Sequence, residues 1–406
     1  MADVRPFRAL QFSAPAGPLG DLLAPPYDVI SPEQRRGLLA RNPYNAVRLI
    51  LPEIDYEEVA TLISSWLDIG VLARAERPLV VAWTQTFTLA DGVERERRTI
   101  LGAVTLEPYE ARVVRPHERT HAGPKDDRLR LTRAVRTNLS PVFGLYPDAE
   151  GAAWDALAVS GEPDAQLVDG DGVTHRIWRI DDPAAHAALA KALADRWILI
   201  ADGHHRYETA LAYRDERRAA GDTDPDAPHN RVLMGLTALD DPGLVVLPTH
   251  RVLKRWVEGA EAAFDVRPVA DLDEMTALLE RAADDVPALG LVRPEGMWLL
   301  SGGIRPDATP GERLDVAALE REVLVPYLGA DQAKLAHDGE LTYVKDAHEA
   351  LDLVSSGEAA AVFIMRGIPK SEIAAVSDAG ETMPQKSTYF HPKLLTGVAF
   401  HSLVDA

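Results

Sequence analysis

Apolar residues recur every three to four positions at Val59, Leu62, Ile63, Trp66 and Leu67, which predicts an amphipathic helix starting from Asp55. Upstream, Ser31 reads as an N-cap, Pro32 as the first helical position and Glu33 as a first-turn acid, so a short helix is expected from Ser31 to Ala40. Loops flank it at Ala24-Pro25-Pro26-Tyr27-Asp28 and Arg41-Asn42-Pro43-Tyr44-Asn45, where proline biases the preceding residue away from helix. The period then changes to two. Leu79 to Leu89 and Thr99 to Leu106 alternate around Ala90-Asp91-Gly92, a hairpin signal. Further strands are expected at Ala111 to Arg115, Val142 to Tyr146, Gln166 to Val168 and His175 to Ile180, with helices at Lys125 to Leu139 and Pro183 to Asp195.

Trp197-Ile198-Leu199-Ile200-Ala201 is a continuous apolar run of strand length, suited to burial on both faces. Asp202-Gly203 ends it, and a helix from about His205 to Ala220 follows. This order places Asp202 to Arg206 where backbone amides and a helix dipole face a crevice. Beyond it, strands are expected near Val232 to Ala238 and Leu244 to Leu247, helices near Glu258 to Phe264 and Asp273 to Ala283, and a hairpin from Leu289 to Leu300. A helix from Ala347 to Ser355 and a strand from Ala361 to Ile364 come last. The pattern is mixed α/β (α+β), divided as a main domain over 1–257, a smaller α/β insertion over 258–330, and a segment over 331–406 returning to the main domain.

Composition narrows the function classes. The chain has 406 residues and no cysteine, which removes disulfides, thiolate metal sites and cysteine nucleophiles. No apolar run approaches the length of a membrane span or signal peptide, so a cytoplasmic protein without a membrane partner is expected. The formal charge of −20 disfavours nucleic acid. Against that background, residues 112–136 carry seven arginines and Lys125 against Glu118, Asp126 and Asp127. That excess reads either as a solvated helix face or as an anion pocket kept positive within an acidic protein.

The segment Asp202-Gly203-His204-His205-Arg206 offers a general acid or base, a carboxylate to orient it, and a guanidinium shaped for phosphate. A capped helix with exposed histidines is the plain alternative. Lys386-Ser387-Thr388 reads as an anion contact, but Gly-x-x-x-x-Gly is absent and a P-loop is rejected. Thr249-His250-Arg251 is a weaker candidate of the same kind. His117-Glu118-Arg119-Thr120-His121 matches the zinc-protease pattern, which requires a helix. Pro116, the strand-like Val113-Val114 and Gly123-Pro124 argue against one, so Glu118 reads as a carboxylate presented from a loop. A metal-dependent hydrolase using His117, His121 and His204 is kept as a third reading.

Ala24-Pro25-Pro26-Tyr27-Asp28-Val29-Ile30, Asn42-Pro43-Tyr44-Asn45, His117-Glu118-x-Thr120, Pro124-Lys125-x-Asp127-Arg128, Ser140-Pro141-Val142-Phe143, Ala201 to Tyr207 and Met383-Pro384-x-Lys386-Ser387-Thr388 together resemble the family known as domain of unknown function 1015, over nearly the whole chain. The Asp-Gly-His-His-Arg turn also resembles the signature of the ParB/sulfiredoxin superfamily, whose members bind nucleotide phosphates at a helix N-terminus and include nucleotide-dependent free-serine kinases and cytidine-triphosphate switches. That resemblance implies a ParB/sulfiredoxin-like core with a mixed sheet, phosphates at Asp202, His204, His205 and Arg206, and Glu118 as base toward an acceptor hydroxyl. This chain is much longer, and no helix-turn-helix segment is apparent.

Phosphoryl transfer needs positive charge around the moving oxygens, usually with Mg²⁺ on a carboxylate. Arg119, Thr120, Lys125, Arg128, Arg206, His250, Arg251, Lys386, Ser387 and Thr388 are the candidate phosphate and nucleotide contacts, and Glu118 or Asp202 the candidate Mg²⁺ ligand. The reading is therefore a nucleotide-dependent kinase, using ATP or ADP with Mg²⁺, acting on a small hydroxylated metabolite such as free serine. A non-enzymatic nucleotide-binding regulator is the alternative, and homodimer formation is left open.

Overall fold

The computed structural model describes residues 2–118, 122–283, 286–303 and 307–404, and of 122–124 the backbone only. Arg119, Thr120 and His121, three residues of the zinc-like pattern and its basic neighbourhood, lie outside the described residues. The chain divides into two compact units. One comprises residues 1–116, 120–244 and 392–406, the other 117–119 and 245–391. The division differs from the expected 258–330 insertion, because the strands His250–Leu253, Leu341–Val344 and Ala361–Ile364 hydrogen-bond into the same sheet as the Ala288–Arg293 hairpin strand.

The first unit is built on a mixed nine-stranded sheet. Its order is Val114–Arg115, Ile198–Asp202, Val142–Tyr146, Arg231–Ala238, Glu94–Thr105, Val80–Thr88, Thr174–Ile180 and Ala165–Val168, with Val4–Arg5 paired to the end of the long strand Glu94–Thr105. Val142–Tyr146 runs parallel to Arg231–Ala238 and antiparallel to Ile198–Asp202. The expected apolar run lies inside this sheet: Ile198, Leu199 and Ile200 are each fully buried. Alternate residues on both faces therefore add to the core, at about 1.5–3 kcal/mol for each fully buried aliphatic side chain.

Gly144 sits where this packing is tightest. A Cβ there would lie 2.8 Å from Ile198 Cγ2, 2.8 Å from Met234 Sδ and 2.9 Å from Leu236 Cδ2. Gly144→Ala is expected to lower unfolding free energy by about 1–3 kcal/mol through overpacking, measured by urea denaturation.

The helix from Pro32 to Arg41 has Ser31 as its N-cap, as expected, and Gln34 completes a capping box with it. The helix at Tyr56–Asp68 buries Val59, Ile63 and Trp66, the apolar stripe of the sequence. The hairpin pairs Val81 with Leu101 through Thr88 with Glu94. The basic helix runs over Ala122–Val135 and stops four residues short of Leu139, because Thr137–Asn138 pairs with His401–Ser402.

The second unit holds an antiparallel six-stranded sheet in the order Asp265–Val269, Gly296–Ser301, Ala288–Arg293, Ala361–Ile364, His250–Leu253, Leu341–Val344. The helices Leu272–Arg281 and Ala347–Ser355 pack on its core through Met275, Leu279, Ala350 and Val354. Residues 258–264, expected as a helix, form successive turns, with Gly259 at φ +81°. Among the described residues no helix is long and apolar enough to cross a membrane.

Candidate functional site

The strand Ile198–Asp202 ends at Gly203, whose φ of +92° and ψ of 31° are left-handed, and the helix His204–Ala219 starts at the next residue. The amides of His204, His205 and Arg206 precede the first intrahelical bond, from Tyr207 N–H to the Gly203 carbonyl at 3.0 Å. His204 is buried and His205 half-buried.

Gly203 is required twice over. Its φ lies where side chains are strained, and a Cβ would stand 2.7 Å from Arg206 Nε and 2.8 Å from Arg206 Cζ. The Arg206 guanidinium thus folds back over the turn. It donates to the Pro141 carbonyl through Nη1 and to Asp202 Oδ1 through Nη2 at 3.4 Å. Asp202 Oδ2 accepts a second charged hydrogen bond, from Lys393 Nζ at 2.9 Å. Burial works to raise the Asp202 carboxyl, but the Lys393 ammonium and the Arg206 guanidinium outweigh it and hold the group well below the usual carboxylate range. Asp202 is therefore an anion clamped between two cations.

Two further basic residues of the expected set stand in this unit. Lys125 Nζ lies 3.6 Å from Glu208 Oε2, in the first turns of the same helix as Arg206. Arg128 donates to Asp127 and, through Nη1, to the Ile50 carbonyl at 2.8 Å, and its guanidinium lies 4.6 Å from the Tyr27 ring centroid. Tyr27, Arg128, Ser140, Arg206 and Thr209 line a small cleft of about 50 Å³, closed by aliphatic side chains including Leu131 and Val232. A larger open hollow of about 510 Å³ lies against Asp55, Arg130 and Arg133. Its arginines pair with the acids Asp127 and Glu216, and it lies on the exposed face of the basic helix, so it has weaker claims.

The remaining candidates belong to the second unit. His117 Nε2 is 3.0 Å from Thr388 Oγ1, and its ring meets Phe390 edge-on. Glu118 forms an isolated parallel bridge with Met383, so the start of the zinc-like pattern is extended backbone, as expected. Lys386 has a left-handed φ of 56°, and the Ser387 hydroxyl donates to the Pro384 carbonyl. Arg251 is fully buried. It donates to Gln332 Oε1 at 3.0 Å, to the Thr249 carbonyl and to the Lys386 carbonyl at 3.1 Å. Burial pushes its pKa down to about 10. His250 is buried beside it and accepts the Met365 N–H at Nδ1, 3.1 Å away. Desolvation and the neighbouring Arg251 lower its pKa to about 4, so it is neutral at pH 7. Both side chains are committed to holding strands and the 384–388 turn rather than facing solvent.

Sequence reasoning missed Lys393 as the partner of Asp202, and Tyr27, Ser140 and Thr209 as residues lining the cleft. Tyr27 and Ser140 stand in segments that the sequence had singled out, and Lys393 is the single lysine beyond Thr388. Thr209 carries no sequence signal of its own.

Comparison with known proteins gives a family and several distant likenesses. The profile of the family described as protein of unknown function (DUF1015) matches residues 4–317. No curated protein matches the chain. Among solved structures, a conserved hypothetical protein from Pyrococcus furiosus is 17% identical, covers 71% of this chain and 91% of its own, and superposes with a TM-score of 0.36. A free serine kinase in complex with AMP is 15% identical, with coverages of 71% and 88% and a TM-score of 0.37. SbnI with a C-terminal truncation, from Staphylococcus aureus, is 11% identical, with coverages of 74% and 87% and a TM-score of 0.36.

Proposed function

This chain belongs to the family described as protein of unknown function DUF1015, and from its own site we propose that it is a nucleotide-dependent phosphotransferase acting on a small hydroxylated metabolite, with free serine as the first acceptor to test. The observation that carries the reading is the turn at Gly203. One strand end and one helix start bring a carboxylate, two imidazoles and a guanidinium together, and Lys393 arrives from a distant part of the chain to complete the charge. Phosphoryl transfer asks for little else: positive groups and amides fixed around the moving oxygens.

In this reading the amides of His204 to Arg206, at the positive end of a 16-residue helix, receive phosphate oxygens. His205, Lys393 and Lys125 supply donors. Asp202 keeps Lys393 and Arg206 oriented before the ligand arrives. His250 and Arg251 are not carried into the reading, because their polar atoms serve the second unit's own structure. Glu118 stays as the proposed base toward the acceptor hydroxyl, on the resemblance stated above, and Lys386, Ser387 and Thr388 as proposed anion contacts. Asp202 would take a Mg²⁺ only once Lys393 releases it, since both oxygens already receive charged donors.

The test is direct. Protein, Mg²⁺, ATP or ADP, and serine are expected to yield ADP or AMP together with the phosphorylated acceptor. Nucleotide binding by calorimetry without turnover on any of a panel of hydroxylated acceptors would refute the enzyme and leave a nucleotide-binding regulator.

A further inference from the structure

The cleft beneath Tyr27 has a chemistry of its own. It is lined by the polar residues Tyr27, Arg128, Ser140, Arg206 and Thr209, by three more polar residues between 132 and 138, and by aliphatic side chains. Thr209 is 3% exposed, and its Oγ1 has no hydrogen-bond partner among the described residues. A threonine inside a helix ordinarily returns its hydroxyl to the carbonyl four residues earlier, but this one does not. A buried hydroxyl left unpaired costs about 1–3 kcal/mol, so something entering the cleft is expected to satisfy it.

The arginines point the same way. A guanidinium has five N–H donors. Among the described residues Arg206 makes two hydrogen bonds and Arg128 three, which leaves donors on both for an acceptor-rich group. A cavity volume of about 50 Å³ corresponds to roughly four waters, the bulk of one of the smallest amino acids. The aliphatic part of the wall, which includes Leu131, Leu139 and Val232, suits a short carbon skeleton, whereas a bare inorganic anion would leave it without contacts.

We propose that this cleft is the binding site of a small carboxylate carrying a hydroxyl or amine, with its carboxylate on the Arg128 and Arg206 guanidiniums and a polar substituent on the Thr209 hydroxyl. The proposal deepens the phosphotransferase reading by naming the acceptor's class and its site, and it rests on that reading for the ligand's role as acceptor. The binding itself does not depend on turnover.

Calorimetry of the full chain, with and without ADP, tests it against L-serine, glycerate and lactate, with glycerol, ethanolamine and inorganic phosphate as contrasts. The hydroxy- and amino-carboxylates are expected to bind, and the neutral, cationic and inorganic contrasts to bind at least tenfold more weakly. Thr209→Val should weaken L-serine or glycerate about tenfold while leaving the melting temperature equal or higher, since the hydroxyl has no protein partner to lose. Thr209→Ser should restore affinity. Absence of carboxylate binding in both conditions, or unchanged affinity in Thr209→Val, would overturn the site and mark the cleft as water-filled. Carboxylate binding without any nucleotide binding would instead keep the site and remove the phosphotransferase.

Discussion

Gly203→Ala is expected to cost about 2–4 kcal/mol of unfolding free energy and to abolish nucleotide binding. Two penalties add at this residue. A left-handed backbone costs roughly 1–2 kcal/mol for a residue with a Cβ. The new methyl would also stand 2.7 Å from Arg206 Nε, so the guanidinium must leave the turn, at a further cost of about 1–3 kcal/mol. Leaving means giving up the Pro141 carbonyl and Asp202 together. Gly221 supplies the control within the same helix pair of termini: its φ is +96°, yet no atom lies within 4 Å of the added Cβ. Gly221→Ala should therefore lose only the backbone term and keep its ligand. Equal losses in urea denaturation at the two glycines would show that the close approach of Arg206 contributes nothing.

That turn was the most legible part of the chain, and the reason is local. Five apolar residues followed by Asp-Gly and an amphipathic stretch determine strand, turn and helix without reference to anything distant, and the structure has Ile198–Asp202, Gly203 and His204–Ala219 in that order. The capped helix after Ser31 and the Asp91-Gly92 hairpin were readable for the same reason. Legibility fell in the second unit. His250–Leu253 is an interior strand of its sheet, but its first two residues are a histidine and an arginine, which in sequence look like a polar site. Their burial depends on partners far along the chain, Met365, Gln332 and the 384–388 turn. The expected helix over 258–264 failed on the opposite ground: alanine and glutamate favour helix, but Gly259 adopts a positive φ and the chain then enters an edge strand.

The site was legible where its groups are neighbours in sequence and opaque where they converge. Asp202, His204, His205 and Arg206 come as a block. The cleft, in contrast, draws its lining from six separate stretches of the chain, among them Tyr27 in a 3-10 turn and Thr209 in the helix His204–Ala219, and only folding brings them to one wall. Arg128 was expected at phosphate on charge alone. In the structure it pairs with Asp127 and lies against the Tyr27 ring, so part of the positive charge in residues 112–136 is spent on contacts within this unit.

Lys393→Met should be the second large effect, with a pH signature that identifies its cause. The wild-type Asp202 carboxyl is held below its ordinary value, so its contribution to stability is present above about pH 4, where the unfolded group is ionised, and is lost as pH falls through the folded-state value. Without the ammonium, only the 3.4 Å contact to Arg206 remains, and the carboxyl rises back toward the ordinary range. Breaking a buried ion pair costs about 3–5 kcal/mol, and the 15% and 17% exposure of these side chains reduces that to about 2–3 kcal/mol. The deficit should be full at pH 7 and shrink below pH 4. Lys393 is delivered to this place by its backbone, whose carbonyl accepts from Gln85 Nε2 at 3.1 Å, while Gln85 itself accepts from the buried Arg97. The methionine variant keeps that backbone bond, so the tail stays docked and the change is confined to charge. If Lys393 also meets phosphate, turnover should fall by about 10²–10³, the scale of losing one preorganised donor. Asp202→Asn in the Lys393→Met background should recover much of the stability, because no unpaired carboxylate is left. Recovery of stability without recovery of turnover would separate the structural role of the pair from its role toward the ligand, and a deficit that does not change with pH would refute the pairing as the source of either.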